Sequence, residues 1–214
     1  MIDVRMFTVG PVQENCYFVR RPGADTAVVV DPGEEPARLL DALSQLGITS
    51  VEAILITHCH FDHIGAVKAL AQATGAPVYC PQMETTLLAN INAFTPPGFG
   101  PFEDYDADHA VAGGETLELA GLTFDVRFTP GHSPGHVTYS IREEDALLSG
   151  DVLFQGSVGR VDLPGGDWPT LLASIENLVS AYPSETTVYP GHMGVTTLGR
   201  ERATNPFLRE LAER

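Results

Sequence analysis

Six consecutive residues, His58-Cys59-His60-Phe61-Asp62-His63, constrain this chain more than any other stretch, because they set three imidazoles and a carboxylate between two regular segments. Upstream, the apolar run at 53–57 reads as a buried strand. Downstream, the apolar spacing over 64–74 predicts a helix. The cluster therefore occupies a strand-to-helix turn, a place exposed to solvent yet held rigidly at both ends. An N-cap role for Asp62 on the following helix would account for the carboxylate alone. Three histidines would stay unexplained, and metal binding explains all four side chains.

Three more polar residues sit at comparable places. His132 lies in Thr129-Pro130-Gly131-His132-Ser133-Pro134-Gly135-His136, Asp151 follows Ser149-Gly150, and His192 follows Tyr189-Pro190-Gly191. Each comes after an apolar or β-branched run, at 123–128, 146–148 and 186–189. Four strand ends would thus deliver ligands to one edge of a sheet structure. Imidazole and carboxylate donors suit zinc, iron or manganese, and a set of three or four protein ligands leaves positions open for water, as catalytic metals require. A structural zinc would draw on more cysteine. Cys59 is expected to point away from the ligands, and Cys16 and Cys80, in apolar surroundings, to lie in the core.

The order of these motifs, HxHxDH, PGHSPGH, SGD and a late YPGH, resembles the metallo-β-lactamase superfamily, and Gly150 to Asp167 resembles its glyoxalase II-related hydrolases. The resemblance covers residues 53–192. It implies a four-layer αβ/βα sandwich of the α/β class with metals at one edge of two sheets. It also implies one ion held by His58, His60 and His132, a second by Asp62, His63 and His192, and Asp151 bridging both. Two divalent ions are expected, zinc first, with iron or manganese as alternatives. Water between two such ions loses a proton near neutral pH and supplies a metal-bound hydroxide nucleophile, while the ions polarise the scissile carbonyl. Asp62 and Asp151 are then the catalytic carboxylates, Asp62 orienting the nucleophile. No serine or cysteine nucleophile is needed, and Thr129 and Ser133 read as turn residues.

For substrate, the resemblance implies a glutathione thioester such as S-lactoylglutathione, cleaved to acid and thiol. Arg160 stands where glyoxalase II enzymes place a basic glutathione contact; as a local feature it could instead pair with Asp162. With 22 residues after His192, the chain is expected to do without the C-terminal helical domain of the larger glyoxalase II enzymes. Arg200, Arg202 and Arg209 are the candidates to replace it, or are solvated helix charges. The Gly159-Arg160-Val161-Asp162 stretch also resembles persulfide dioxygenases, in which His58, His132 and Asp151 would form a mononuclear iron triad acting on glutathione persulfide. β-Lactam and lactone hydrolysis are further possibilities on the same fold.

The remaining sequence sets limits. With 28 acidic against 12 basic residues, a formal net charge of −16 opposes polyanions, so nucleic acid is not an expected partner. No apolar run approaches the roughly 20 residues of a membrane span, and the first residues lack a signal-peptide layout, so a cytoplasmic protein is expected. One domain over 1–214 is expected. Strands are read at 4–9, 15–19, 27–30, 77–79, 116–119, 123–128, 137–141 and 146–148, and helices at 36–46 and 169–179, the latter capped by Asp167. A final helix is read after His192. Residues 90–110, rich in Pro, Gly and Phe, form a lid or else a surface connection with Phe94, Phe99 and Phe102 tucked inward. His109 reads as a surface residue, and His136, beside helix-breaking Pro134 and Gly135, as a hydrogen-bonding support for the ligands.

Overall fold

Strand alternation decides the layering. In the first half of the chain, β1 (Asp3–Val9), β2 (Glu14–Arg20), β3 (Thr26–Val30), β4 (Ser50–Leu55), β5 (Val78–Pro81) and β6 (His109–Val111) form one six-stranded sheet in sequential order. Cys16 and Phe18 of β2, Val29 of β3 and Ile54 of β4 face one way; Tyr17, Val19, Val28, Val30 and Leu55 face the other. A strand buried on both faces reads as an apolar run, as β3 does after Thr26 and β2 does over its middle, Cys16 to Val19. The structure, a computed structural model, describes residues 1–208.

The second sheet contains β7 (Thr116–Leu119), β8 (Leu122–Phe128), β9 (Val137–Ile141), β10 (Ala146–Gly150), β13 (Thr187–Pro190) and β14 (Thr196–Thr197), in the order β14-β13-β10-β9-β8-β7. A short antiparallel ribbon, β11 (Leu153–Phe154) with β12 (Ser157–Val158), stands beside it. Phe124, Val126, Tyr139 and Leu148 meet the inward residues of the first sheet, making the central core. Helices α1 (Pro36–Gln45) and α3 (Val67–Thr74) cover the outside of the first sheet through Leu39, Leu43, Val67 and Leu70. Helix α6 (Trp168–Ala181) covers the second through Leu171, Ile175 and Leu178 packed on Leu147 and Val188. Three cores between four layers constitute the expected αβ/βα sandwich.

Several boundaries depart from expectation. The helix read over 64–74 is two helices, α2 (Phe61–Ile64) and α3, because the chain turns at Gly65 and Ala66 to pass over Gly33 and Phe102. The strand read at 53–57 is β4, ending at Leu55, so Ile56 and Thr57 already belong to the turn. Asp62 does not cap a helix: His60 occupies the N-cap position of α2 and Asp62 its first turn. The 90–110 stretch contains α5 (Ile91–Phe94), preceded by α4 (Thr85–Leu88), and β6 begins at His109, which is exposed as expected. Capping of α6 by Asp167 holds, its carboxylate accepting the Thr170 amide at 3.0 Å. The final helix is α7 (Leu198–Thr204). No helix among the described residues is long and apolar enough to cross a membrane.

Candidate metal centre

Where β4 runs out of sheet partners, its continuation carries His58 and His60 to the open edge of the sandwich. The turn after β8 brings His132 to the same point. His58 Nε2, His60 Nδ1 and His132 Nε2 lie 3.1, 2.8 and 3.2 Å from one another. Three nitrogens bound to one zinc at about 2.0–2.1 Å in tetrahedral array stand roughly 3.4 Å apart, so this triangle is close to a ready-made ligand face. The outward nitrogens complete the picture. His58 Nδ1 meets Thr57 Oγ1 at 3.1 Å, whose hydroxyl donates to Asp31 at 2.6 Å, and His132 Nδ1 donates to the Arg160 carbonyl at 2.7 Å. Those bonds fix the tautomers that leave lone pairs facing inward.

A second group adjoins the first. Asp62 Oδ2 lies 3.3 Å from His192 Nε2 and 3.8 Å from His63 Nε2. Asp151 reaches both groups: its Oδ2 is 3.4 Å from His132 Nε2 and 3.6 Å from His192 Nε2, and its Oδ1 is 3.4 Å from His63 Nε2. His63 Nε2 and Asp151 Oδ1 are buried and make no hydrogen bond. Unpaired buried polar atoms are costly, and a divalent cation between them removes that cost, so the residues fit the two ions expected from the sequence. Glycine at 191 is required here, since a Cβ would lie 2.2 Å from Asp151 Oδ1.

Charge follows the same division. Burial, reinforced by neighbouring histidines, pushes His58 well below its ordinary value and His60 down to about 4, so both are neutral and free to coordinate. For His63, burial opposes the charge, but the carboxylates of Asp151 and Asp62 outweigh it and raise it well above the ordinary imidazole range. His192 is also raised, burial being outweighed by its bond to Asp62 and by Asp151. Asp151 is lowered: burial acts against its charge, and His63 and His132 more than compensate.

The surrounding supports were legible in part. His136 accepts the Asp151 amide on Nε2 at 3.0 Å and meets Thr129 Oγ1 through Nδ1 at 3.0 Å. Three supports escaped the sequence reading. Asp31 takes the Thr57 amide at 2.8 Å and His63 Nδ1 at 3.2 Å; its signal was a strand end, Val30-Asp31-Pro32-Gly33, like those of the ligands. Glu84, buried, accepts the Cys59 amide at 2.5 Å, the Gly135 amide at 2.9 Å and the Ser133 hydroxyl, so one carboxylate ties both ligand turns together. Nothing local in Gln82-Met83-Glu84 announces this. Glu14, fully buried and raised by that burial, lies 3.7 Å from His63 Nδ1. Cys59 turns inward, its sulfur 3.4 Å from that of Cys80, and Cys16 is also in the core.

Above the ligands opens a cleft of about 470 Å³, with His60, Asp62, His132, Asp151 and His192 among its lining. Arg160 lines it too, while its guanidinium is engaged by Asp162 in a bidentate pair at 2.7 and 2.8 Å. The ion pair with Asp162 is thus what the structure shows, at a residue that also borders the cleft. Arg200 and Arg202 lie on α7, exposed, and do not line the cleft; Arg209 lies outside the described residues. The 90–110 stretch divides its aromatics. Phe99 and Phe102 pack on Phe61 at ring distances of 4.7 and 6.1 Å, and Asn92 clasps the Phe102 backbone at 2.7 and 2.8 Å. Phe94, expected to tuck inward if the stretch were a plain connection, stays exposed at the cleft.

The model of the metallo-β-lactamase superfamily matches residues 9–192. The chain is 39% identical over 209 residues to a probable metallo-hydrolase of Bacillus subtilis, YqgX, covering 95% of this chain and 96% of that one. It is 32% identical over 220 residues to the hydroxyacylglutathione hydrolase GloC of Haemophilus influenzae, covering 97% and 98%. Among solved structures, the BLEG-1 B3 metallo-β-lactamase superposes with a TM-score of 0.90 at 41% identity, over 97% of this chain and 100% of that one. TTHA1623 in a di-iron-bound form superposes with a TM-score of 0.78 at 42% identity, over 95% and 100%.

Proposed function

The chain belongs to the metallo-β-lactamase superfamily, a family of metallo-hydrolases, and from that membership we propose that it cleaves glutathione thioesters to acid and thiol with two zinc ions. The observation that carries the reading is the pair of converging ligand groups under an open cleft, with Asp151 turned to both. In this reading His58, His60 and His132 hold one ion, Asp62, His63 and His192 the other, and Asp151 both. The thioester class rests on the likeness to a hydroxyacylglutathione hydrolase and on Arg160 at the cleft.

When bound, the ions supply an acidified water and a Lewis-acidic seat for the scissile carbonyl oxygen. The chain's own groups do the rest. Asp62 is held ionised: burial opposes its charge, but His63 and the bond from His192 outweigh it, so it accepts a hydrogen bond from the attacking water and aims its lone pair at the carbonyl. His136 fixes the Asp151 backbone, and so keeps that carboxylate between the two groups. Neither Ser133, bound to Glu84, nor Thr129, bound to His136 and Thr138, is free to act as a nucleophile. Arg160 stands where it can take a carboxylate of the thiol half if Asp162 yields it.

The test is metal analysis of the purified protein followed by a panel of S-lactoylglutathione, glutathione persulfide, a β-lactam and a lactone. Two zinc per chain with thioester hydrolysis is the expected result; full metal content with no thioester turnover sinks the reading. The likeness to a B3 metallo-β-lactamase favours β-lactam hydrolysis as the second reading, marked by ring opening exceeding thioester turnover. One iron per chain with oxygen uptake on the persulfide marks the oxygenase alternative, and the di-iron form of a solved relative makes iron the competing metal.

A further inference from the structure

Nine large apolar side chains are exposed among the described residues, and three of them gather at one place, the mouth of the cleft: Phe94 is 56% exposed, Met193 54% and Val12 37%. Phe61, Leu87 and Pro96 add apolar surface to the same lining. A contiguous exposed apolar rim costs solvation unless something is to be bound there.

Two of these residues are held out by the fold. Phe94 ends α5, and its neighbours Phe99 and Phe102 have taken the available packing on Phe61, with Phe102 seated against Gly65, where a Cβ would come within 2.7 Å of its ring. Met193 has φ of 67°, a left-handed backbone that disfavours a residue with a side chain. Asn15 pins it there, its amide donating to the carbonyls of Met193 at 2.8 Å and Pro190 at 3.1 Å. A large apolar group maintained in solvent on a disfavoured backbone is a mark of function.

Charge offers the acyl half no means of recognition. The floor of the cleft carries Asp62 and Asp151, the chain has a net charge of −16, and Arg160, the one Lys or Arg in the lining among the described residues, is paired with Asp162 and in the reading above serves the thiol half. Apolar contact is what the walls provide. A lactoyl group, three carbons bearing a hydroxyl, would bury little of it.

Resting on the hydrolase reading above, we propose that the cleft selects thioesters with a bulky apolar acyl group, aryl or medium-chain, and that Phe94 and Met193 are the residues that set this preference. The acyl chain lies between them, with its carbonyl over the ligand groups.

The experiment compares lactoyl-, acetyl-, hexanoyl- and phenylacetyl-glutathione with the zinc-loaded protein, and the stable thioethers S-methyl- and S-hexylglutathione by calorimetry. We expect kcat/KM for the hexanoyl and phenylacetyl esters to exceed lactoyl by about tenfold or more. Phe94→Ala and Met193→Gly should each shrink that ratio by roughly threefold to tenfold, chiefly through KM. Met193→Gly suits the φ at that position, so its Tm should be unchanged or higher, separating selectivity from misfolding. Met6→Ala, which removes an exposed apolar residue on β1, should leave the ratio unchanged. Equal kcat/KM across the series, or lactoyl best, overturns the proposal and leaves the hydrolase reading standing. Absence of all thioester turnover overturns the hydrolase reading instead. In that case S-hexyl binding no tighter than S-methyl also ends the proposal, and tighter binding that Phe94→Ala abolishes supports it. A concentration-dependent dimer lost in Phe94→Ala, with selectivity unaltered, assigns the rim to a second copy and overturns it.

Discussion

At the scale of single residues, position relative to the two ligand groups matters more than chemical type. Asp151 and Asp62 are both carboxylates, yet Asp151 reaches His63, His132 and His192 while Asp62 reaches His63 and His192. Asp151→Ala should therefore lose both ions together, whereas His192→Ala should mainly empty the second group. Metal content per chain after desalting checks this, and unchanged content in Asp151→Ala contradicts the bridging role. Glu84 acts at one remove. Because it joins the Cys59 amide, between two ligands, to the turn that carries His132, Glu84→Gln should weaken the first group about 10- to 100-fold in zinc affinity while sparing the second. Chelator competition measures both steps. The candidate ligands could be picked out in the sequence because they stand near strand ends, in the turns that follow. Glu84 could not be, since its three partners come from Cys59, Ser133 and Gly135, distant in the chain.

Among elements, the two ligand turns differ in how protons compete for them. His58 and His60 are held below their ordinary values, so acidification from pH 8 to 6 adds no proton to them. His63 and His192 are raised, so over the same range protons contest the second group, whose metal affinity should fall first as pH drops. Zinc titrations at several pH values should show the weaker step moving with pH and the tighter step nearly still; the reverse order would refute the charge assignment. The hairpin of β7 and β8 makes a separate case. Its turn is Ala120-Gly121, and both residues have positive φ, 51° and 69°, the two-residue turn that matches strand twist. Alanine is poorly suited to that conformation, but Ala120 is buried against the central core, so Ala120→Asn would gain at the backbone and lose by burying a polar amide. Ala120→Gly, which relieves the backbone for the loss of one methyl, should leave Tm within about 2 °C, and a larger fall would refute the strain at this turn. The helix read as one over 64–74 split because packing of Gly65 against Gly33 and Phe102 overrode an apolar periodicity that could not register it.

For the molecule as a whole, the ligand edge concentrates negative charge in a chain already at −16. Glu14, Asp31, Asp62 and Asp151 all approach His63, two of its neighbours with unpaired buried oxygens. Stripping metal with a chelator should therefore lower Tm, and zinc at about 1,000 times its Kd should restore about 4 kcal/mol of stability. Differential scanning calorimetry with and without zinc decides the matter, and a Tm indifferent to metal would contradict the centre as drawn. The layering was also readable from sequence, because a strand buried on both faces is apolar throughout while helices show one apolar stripe, and both patterns are local. The candidate ligands stood out for a local reason too, since dense His and Asp in short turns suit a divalent ion whatever the fold. The tertiary structure alone decided which distant groups meet: Glu84 behind the two histidine turns, Phe99 and Phe102 on Phe61, Phe94 and Met193 left at the rim. Those are facts of packing between elements far apart in the chain, and no local pattern of residues encodes them.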